Sequence, residues 1–159
     1  MNIQGTGQQV IPGNGSGSGD NGSNNNGNNP DDNDDNNDDT PVSNNLKITI
    51  GPVSFNATLE NNETAKAFKR LLPMTVDMSE LHGNEKYYYL SNGLPTASSN
   101  PGTIRTGDLM LYGSTCVVLF YETFSTSYTY TRLGRITNPS GLASALGSGG
   151  VNVTFEITD

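Results

Sequence analysis

All twelve aromatic residues and all eight lysines and arginines of this 159-residue chain lie after position 45. Before that point stand seven aspartates (Asp20, Asp31, Asp32, Asp34, Asp35, Asp38 and Asp39) among runs of Asn, Gly and Ser. A segment with so few apolar groups cannot offset the entropy of ordering its own backbone. The chain therefore reads as a disordered acidic tail or linker over residues 1–45 and one folded domain over residues 46–159. The tail holds −7 of the −8 net charge; the domain, with eight basic against nine acidic residues, holds −1. The acidity thus belongs to a solvated spacer and says little about the surface of the domain.

Within the domain, hydrophobic periodicity assigns the elements. Leu46, Ile48 and Ile50 alternate with Lys47 and Thr49, and Phe55, Ala57 and Leu59 share one face of the next run. Gly51-Pro52 between them marks a hairpin turn. Asn61, Asn62 and Thr64 offer helix caps ahead of Ala65, Phe68, Leu71 and Leu72 at helical spacing. This predicts a helix of about ten residues, stopped by Pro73, with Lys66, Lys69 and Arg70 toward water or the helix end. Strands are expected over 75–81, 85–90, 107–113, 116–121, 128–136 and 151–157, with irregular loops over 91–103 and 122–127. The run 116–121 is continuously apolar, as in a strand buried on both faces. A second short helix is expected between Pro139 and Leu146. Eight strands in so short a domain suggest a mainly β fold closed into an eight-stranded barrel, with two short helices.

Three segments carry a family resemblance. One is Gly107-Asp108-Leu109-Met110-Leu111-Tyr112-Gly113 leading into Cys116-Val117-Val118-Leu119-Phe120-Tyr121. Another is Tyr130-Thr131-Arg132-Leu133-Gly134-Arg135-Ile136 followed by the short helix, and the third is the closing strand. This order resembles the second half of a cyclophilin and is similar to the small bacterial cyclophilin-like proteins over the whole of residues 46–159. The resemblance implies a cyclophilin-like barrel. Cyclophilins proper are peptidyl-prolyl isomerases, whose site uses an arginine and a glutamine beside a proline pocket and a histidine before the Gly-basic strand. Here the strand at 85–90 has no arginine, no glutamine follows Gln9, Trp is absent, and the loop 122–127 has no histidine. The resemblance therefore carries the scaffold and leaves the isomerase residues missing.

Isomerisation requires an apolar pocket for the proline ring and a donor that favours the twisted amide. Arg105 is the candidate donor; an exposed loop arginine is the plainer alternative. The richest feature is the tyrosine set Tyr87, Tyr88, Tyr89, Tyr112, Tyr128 and Tyr130. Successive strand residues face opposite sides, so Tyr88 is expected opposite Tyr87 and Tyr89. Aromatic rings with polar tips suit a binding groove, although barrel core plus cross-strand surface pairs is the plainer reading. The candidate ligand-binding residues are Tyr87, Tyr89, Tyr112, Phe120, Phe124 and Tyr128. His82 has no metal-binding companions, and Cys116 lies in an apolar run that suits an inert thiol. The run 31–39 has the acidity of a calcium loop without its glycine and closing glutamate. No metal, cofactor or nucleic-acid site is expected.

The expected function is a non-catalytic module for a peptide or small ligand. A weak or divergent isomerase is the alternative, and a purely structural envelope component is a third. A monomer or weak dimer is expected. No run of about 18 apolar residues is present to form a membrane-spanning helix. Spacers of this composition often follow bacterial export signals, so an exported or envelope-tethered protein whose leader was removed is expected ahead of a cytoplasmic one.

Overall fold

The computed structural model describes residues 42–159. The expected disorder of residues 1–45 falls, up to residue 41, outside the described residues.

The first hairpin forms where the alternation places it. Strand β1 (Asn45–Ile50) buries Leu46, Ile48 and Ile50, and β2 (Val53–Leu59) buries Phe55, Ala57 and Leu59. Leu46 stands opposite Ala57 and Ile48 opposite Phe55, so both apolar rows share one face. The turn uses Gly51 at φ +59°, a conformation that glycine adopts without a Cβ penalty.

Helix α1 (Glu63–Lys69) is capped by Asn62, whose side-chain oxygen accepts from the Ala65 N–H at 2.7 Å. The same side chain donates from Nδ2 to the Arg132 carbonyl, 3.0 Å away. The helix packs Ala65 and Phe68 into the barrel interior, and Phe68 meets Phe155 edge to face at 5.8 Å. It is shorter than the spacing predicts: Leu71 lies beyond its end and is exposed. Lys69 does not face water. It is buried, and its Nζ donates to the Ser43 carbonyl (3.2 Å) and Asn44 Oδ1 (2.8 Å). Hydrogen-bonding partners at the N-terminal edge of the domain hold an ammonium group that periodicity alone sends to solvent.

The remaining elements are β3 (Met74–Leu81), β4 (Glu85–Tyr89), β5 (Thr103–Ile104), β6 (Asp108–Tyr112), β7 (Cys116–Phe120), β8 (Phe124–Ser125), β9 (Thr131–Ile136), α2 (Leu142–Leu146) and β10 (Val151–Ile157). Eight strands close into an antiparallel barrel in the order β1-β10-β3-β4-β7-β6-β9-β2. The two short strands β5 and β8 pair only with each other, within segments that read as loops in the sequence. Strand β9 begins at Thr131, and Tyr130 ahead of it bridges to Ser99.

Gly134 explains the apolar-Gly-basic pattern of β9. It pairs with Leu59, and a Cβ there would stand 2.5 Å from the Thr58 carbonyl oxygen. The backbones of β2 and β9 approach too closely for any side chain at this point.

The core is double. The barrel interior holds Leu46, Ile48, Phe68, Leu109, Leu111, Val117, Leu119, Leu133 and Phe155. A second, smaller cluster of Ile104, Met110, Cys116, Val118, Phe120 and Tyr130 lies on the outer side of β6 and β7. Strand β7 is therefore buried on both faces, as its unbroken apolar run predicts.

Candidate functional site

The outer cluster is built by strand alternation. In the β4–β7 ladder Glu85 stands opposite Phe120, Tyr87 opposite Val118, and Tyr89 opposite Cys116. Directly opposed residues share a face, so Glu85, Tyr87 and Tyr89 line the outer wall of the barrel with Phe120. Lys86 and Tyr88 face inward, opposite Leu119 and Val117. Tyr112 continues the wall on β6, and Phe124 and Tyr128 pack against it from the segment around β8.

All six ligand-binding candidates thus come together on or beside one wall. Phe120 is its floor, with no exposed surface. Tyr87, Tyr112, Phe124 and Tyr128 are half-buried, and Tyr89 is 37% exposed. The rings meet at angles that favour edge-to-face attraction. Phe120 lies 5.6 Å from Tyr130 and 5.7 Å from Phe124. Tyr112 lies 5.5 Å from Tyr130 and 6.4 Å from Tyr128, and Tyr87 lies 5.7 Å from Tyr89. Tyr130 belongs to the wall as well; its place in a cross-strand bridge is not visible in the sequence alternation of 128–136. Burial raises the phenol of Tyr130 well above its ordinary range and pushes that of Tyr89 up to about 12, so both stay neutral donors at physiological pH.

Glu85 is the residue that the sequence reading missed. The residue is 9% exposed, and its carboxyl makes no hydrogen bond or ion pair among the described residues. Among the described residues, the fully buried side-chain atoms without a hydrogen-bond partner are Asn84 Oδ1 and Asp108 Oδ1. The Glu85 oxygens have no partner and are not among them, so they keep some contact with solvent. Burial, then the nearby charge of Glu80, pushes this carboxyl up to about 8. Its position next to Lys86 in a strand looks, in sequence, like an ordinary solvated pair.

Lys86 on the inner face is the opposite case. It is wholly buried, and its Nζ donates to Glu80 Oε1 (2.8 Å), the Gly147 carbonyl (2.8 Å) and the Gly149 carbonyl (2.7 Å). All three ammonium donors are used. The Tyr121 hydroxyl donates to the same Glu80 oxygen at 2.7 Å, and Lys86 Nζ lies 5.2 Å from the centre of the Tyr121 ring. Burial works against the charge on Glu80, yet hydrogen bonds from Lys86, Tyr121 and the Gly83 N–H hold its carboxyl below the usual range. The arrangement ties β3, β4, Tyr121 and the loop between α2 and β10 at one end of the barrel.

Arg105 follows β5 in a turn closed by Asp108, whose Oδ2 accepts from the Arg105 N–H at 2.8 Å. The Arg105 side chain is exposed and has no hydrogen bond or ion pair among the described residues. Asp108 Oδ1 stands 3.9 Å from Arg135 Nε, an ionic contact too long for a hydrogen bond. His82 is exposed in the β3–β4 turn. Cys116 is buried, and burial raises its thiol to about 12, which suits an inert thiol. No group of three or more His, Cys, Asp or Glu placed to hold a metal occurs among the described residues. No helix among them is long and apolar enough to cross a membrane.

Comparison with known proteins agrees with the architecture. The profile of a cyclophilin-like family matches residues 48–156. Among solved structures, a hypothetical protein from Archaeoglobus fulgidus, determined in solution, superposes with a TM-score of 0.52 at 19% identity. The alignment covers 76% of this chain and 99% of the archaeal one. At that identity the likeness concerns the fold alone. No match was found among curated proteins.

Proposed function

The chain belongs to the cyclophilin-like family, and from that premise we propose that its barrel is a non-catalytic module that binds a peptide or small ligand on the outer aromatic wall. The observation that supports this is the gathering of Tyr87, Tyr89, Tyr112, Phe124 and Tyr128, none of them fully buried, over the closed floor of Phe120. Rings held by one another lose little side-chain freedom when a ligand covers them. Their hydroxyls supply polar contacts at the rim. The strand at 85–90 has no arginine, no glutamine follows Gln9, and the loop 122–127 has no histidine, so the residues of a cyclophilin site are missing where the resemblance would put them.

The test is an NMR titration of the full chain with a short proline-containing peptide. Shifts confined to the five wall residues, without faster cis/trans exchange of the peptide, are the expected result. Shifts scattered over the barrel, or none at all, would remove the wall as a binding surface.

A second reading, a divergent isomerase, draws on the exposed, unpaired guanidinium of Arg105 next to buried Ile104 of the outer cluster. In that case the same titration accelerates cis/trans exchange, and Arg105→Ala abolishes the acceleration.

A further inference from the structure

We infer that the outer wall accepts the side chain of a lysine in an extended peptide, its ammonium group meeting the Glu85 carboxylate among the aromatic rings. This deepens the binding-module reading and rests on it.

Three observations converge on Glu85. Register puts its side chain on the same face as Tyr87 and Tyr89, opposite Phe120. It is nine-tenths buried and has no hydrogen-bond or ion-pair partner among the described residues, yet its oxygens are not sealed from solvent. Glu80 of β3 acts on its charge, which in turn acts on Cys116 of β7, Tyr121 and Tyr130, and none of these four is basic. The neighbouring cation, Lys86, points into the barrel, where Glu80 and two carbonyls already engage it. The wall therefore offers one carboxyl, several ring faces and no counter-charge of its own.

Chemistry then narrows the occupant. A buried carboxylate is unfavourable until a cation and its hydrogen bonds compensate the lost water. An ammonium group does so with a charge-assisted hydrogen bond and is attracted by aromatic faces as well. A guanidinium fits less well, because its five donors would face a single carboxyl. From Glu85 to Tyr89 the wall runs four strand steps, about 13 Å, longer than a small free amine and suited to a few residues of extended chain. Since burial holds the carboxyl at about 8 in the unliganded protein, an ammonium ligand displaces its proton near neutral pH.

The experiment is isothermal titration calorimetry of the full chain at pH 7 with the peptide acetyl-Gly-Ala-Lys-Ala-Gly-amide. Its counterpart with norleucine in place of lysine, and n-butylamine, serve as comparisons. The expected result is at least tenfold tighter binding of the lysine peptide than of either comparison. The binding enthalpy should follow the ionisation heat of the buffer as a proton is released. Glu85→Gln, which copies the protonated carboxyl and leaves the fold intact by circular dichroism, should erase both effects. Equal affinity for the lysine and norleucine peptides overturns the ammonium site while leaving a binding wall. Butylamine binding as tightly as the lysine peptide overturns the peptide as its source. If neither peptide binds and the NMR signals of Tyr87, Tyr112 and Tyr128 stay in place, the binding-module reading falls with it.

Discussion

Glu85 and Lys86 are neighbours in one strand, both buried, and the barrel wall between their side chains separates two treatments of charge. On the inner side Lys86 has a partner for each of its three protons. On the outer side Glu85 has none among the described residues. The inner charge is structural: its desolvation is offset within the protein, and it fixes the end of the barrel. The outer carboxyl is left uncompensated, and in the free protein it answers by keeping its proton. A buried ionisable group that the described residues do not satisfy is the observation on which the proposed lysine site rests.

The comparison can be broken most severely from the inside. Lys86→Met leaves Glu80 with its donors reduced to Tyr121 and the Gly83 N–H, and strands two carbonyls. A loss of about 3 kcal/mol is expected, at the low end for a buried pair because Glu80 is partly exposed; urea denaturation at pH 7 measures it. A loss under about 0.5 kcal/mol would make the inner network dispensable.

The outer side should respond in the opposite direction. A carboxyl raised to about 8 in the folded state, against about 4.5 unfolded, leaves the native state binding more protons between those values. Stability should therefore fall as pH rises from about 4.5 to 8, by at most about 1.4 kcal/mol per unit, and then level off. Glu85→Gln should flatten this slope and make the variant the more stable of the two at pH 8. Urea midpoints at pH 5 and pH 8 settle it; a parallel fall in both proteins would show that another group titrates. Glu80 acts in the other direction and lower on the scale. Its depressed carboxyl gives stability present above about pH 4.5 and lost on further acidification.

A gentler change sharpens the inner side. Tyr121→Phe removes one hydrogen bond to Glu80 and keeps the ring beside Lys86. About 1 kcal/mol should be lost, with the Glu80 carboxyl titrating higher by carbon-detected NMR. The smallest effect belongs to the rim of the wall. Tyr89→Ala loses one edge-to-face contact at a part-exposed site, and thermal unfolding should register less than about 1 kcal/mol.

What could be read from the sequence followed from patterns that the backbone alone enforces. Alternation placed Leu46, Ile48 and Ile50 in one row, set Tyr88 against Tyr87 and Tyr89, and marked β7 as buried twice over. The gathering of the six aromatic candidates was likewise within reach, because each carries its own apolar signal. Charged residues were not. Lys69 and Lys86 carry the same sequence signature as solvated lysines, and what buries them are oxygens from distant segments: Ser43 and Asn44 for one, Gly147 and Gly149 for the other. Glu85 was hidden for the same reason. Strands β5 and β8 escaped notice because two residues show no periodicity. Leu71 misled by falling at the right spacing two residues after the helix had ended.

The ribbon of β5 and β8 is bonded to itself and stands outside the closed ring of strands. The molecule therefore has a chassis and an exchangeable fitting. No rung of the barrel ladder lies in the segments that carry the ribbon, while Ile104 and Tyr130 within them help to close the outer core. For an engineer, the exposed positions among residues 91–103 and 122–129, with buried Ile104 and Tyr130 kept, are the parts to vary when a different surface is wanted on this scaffold.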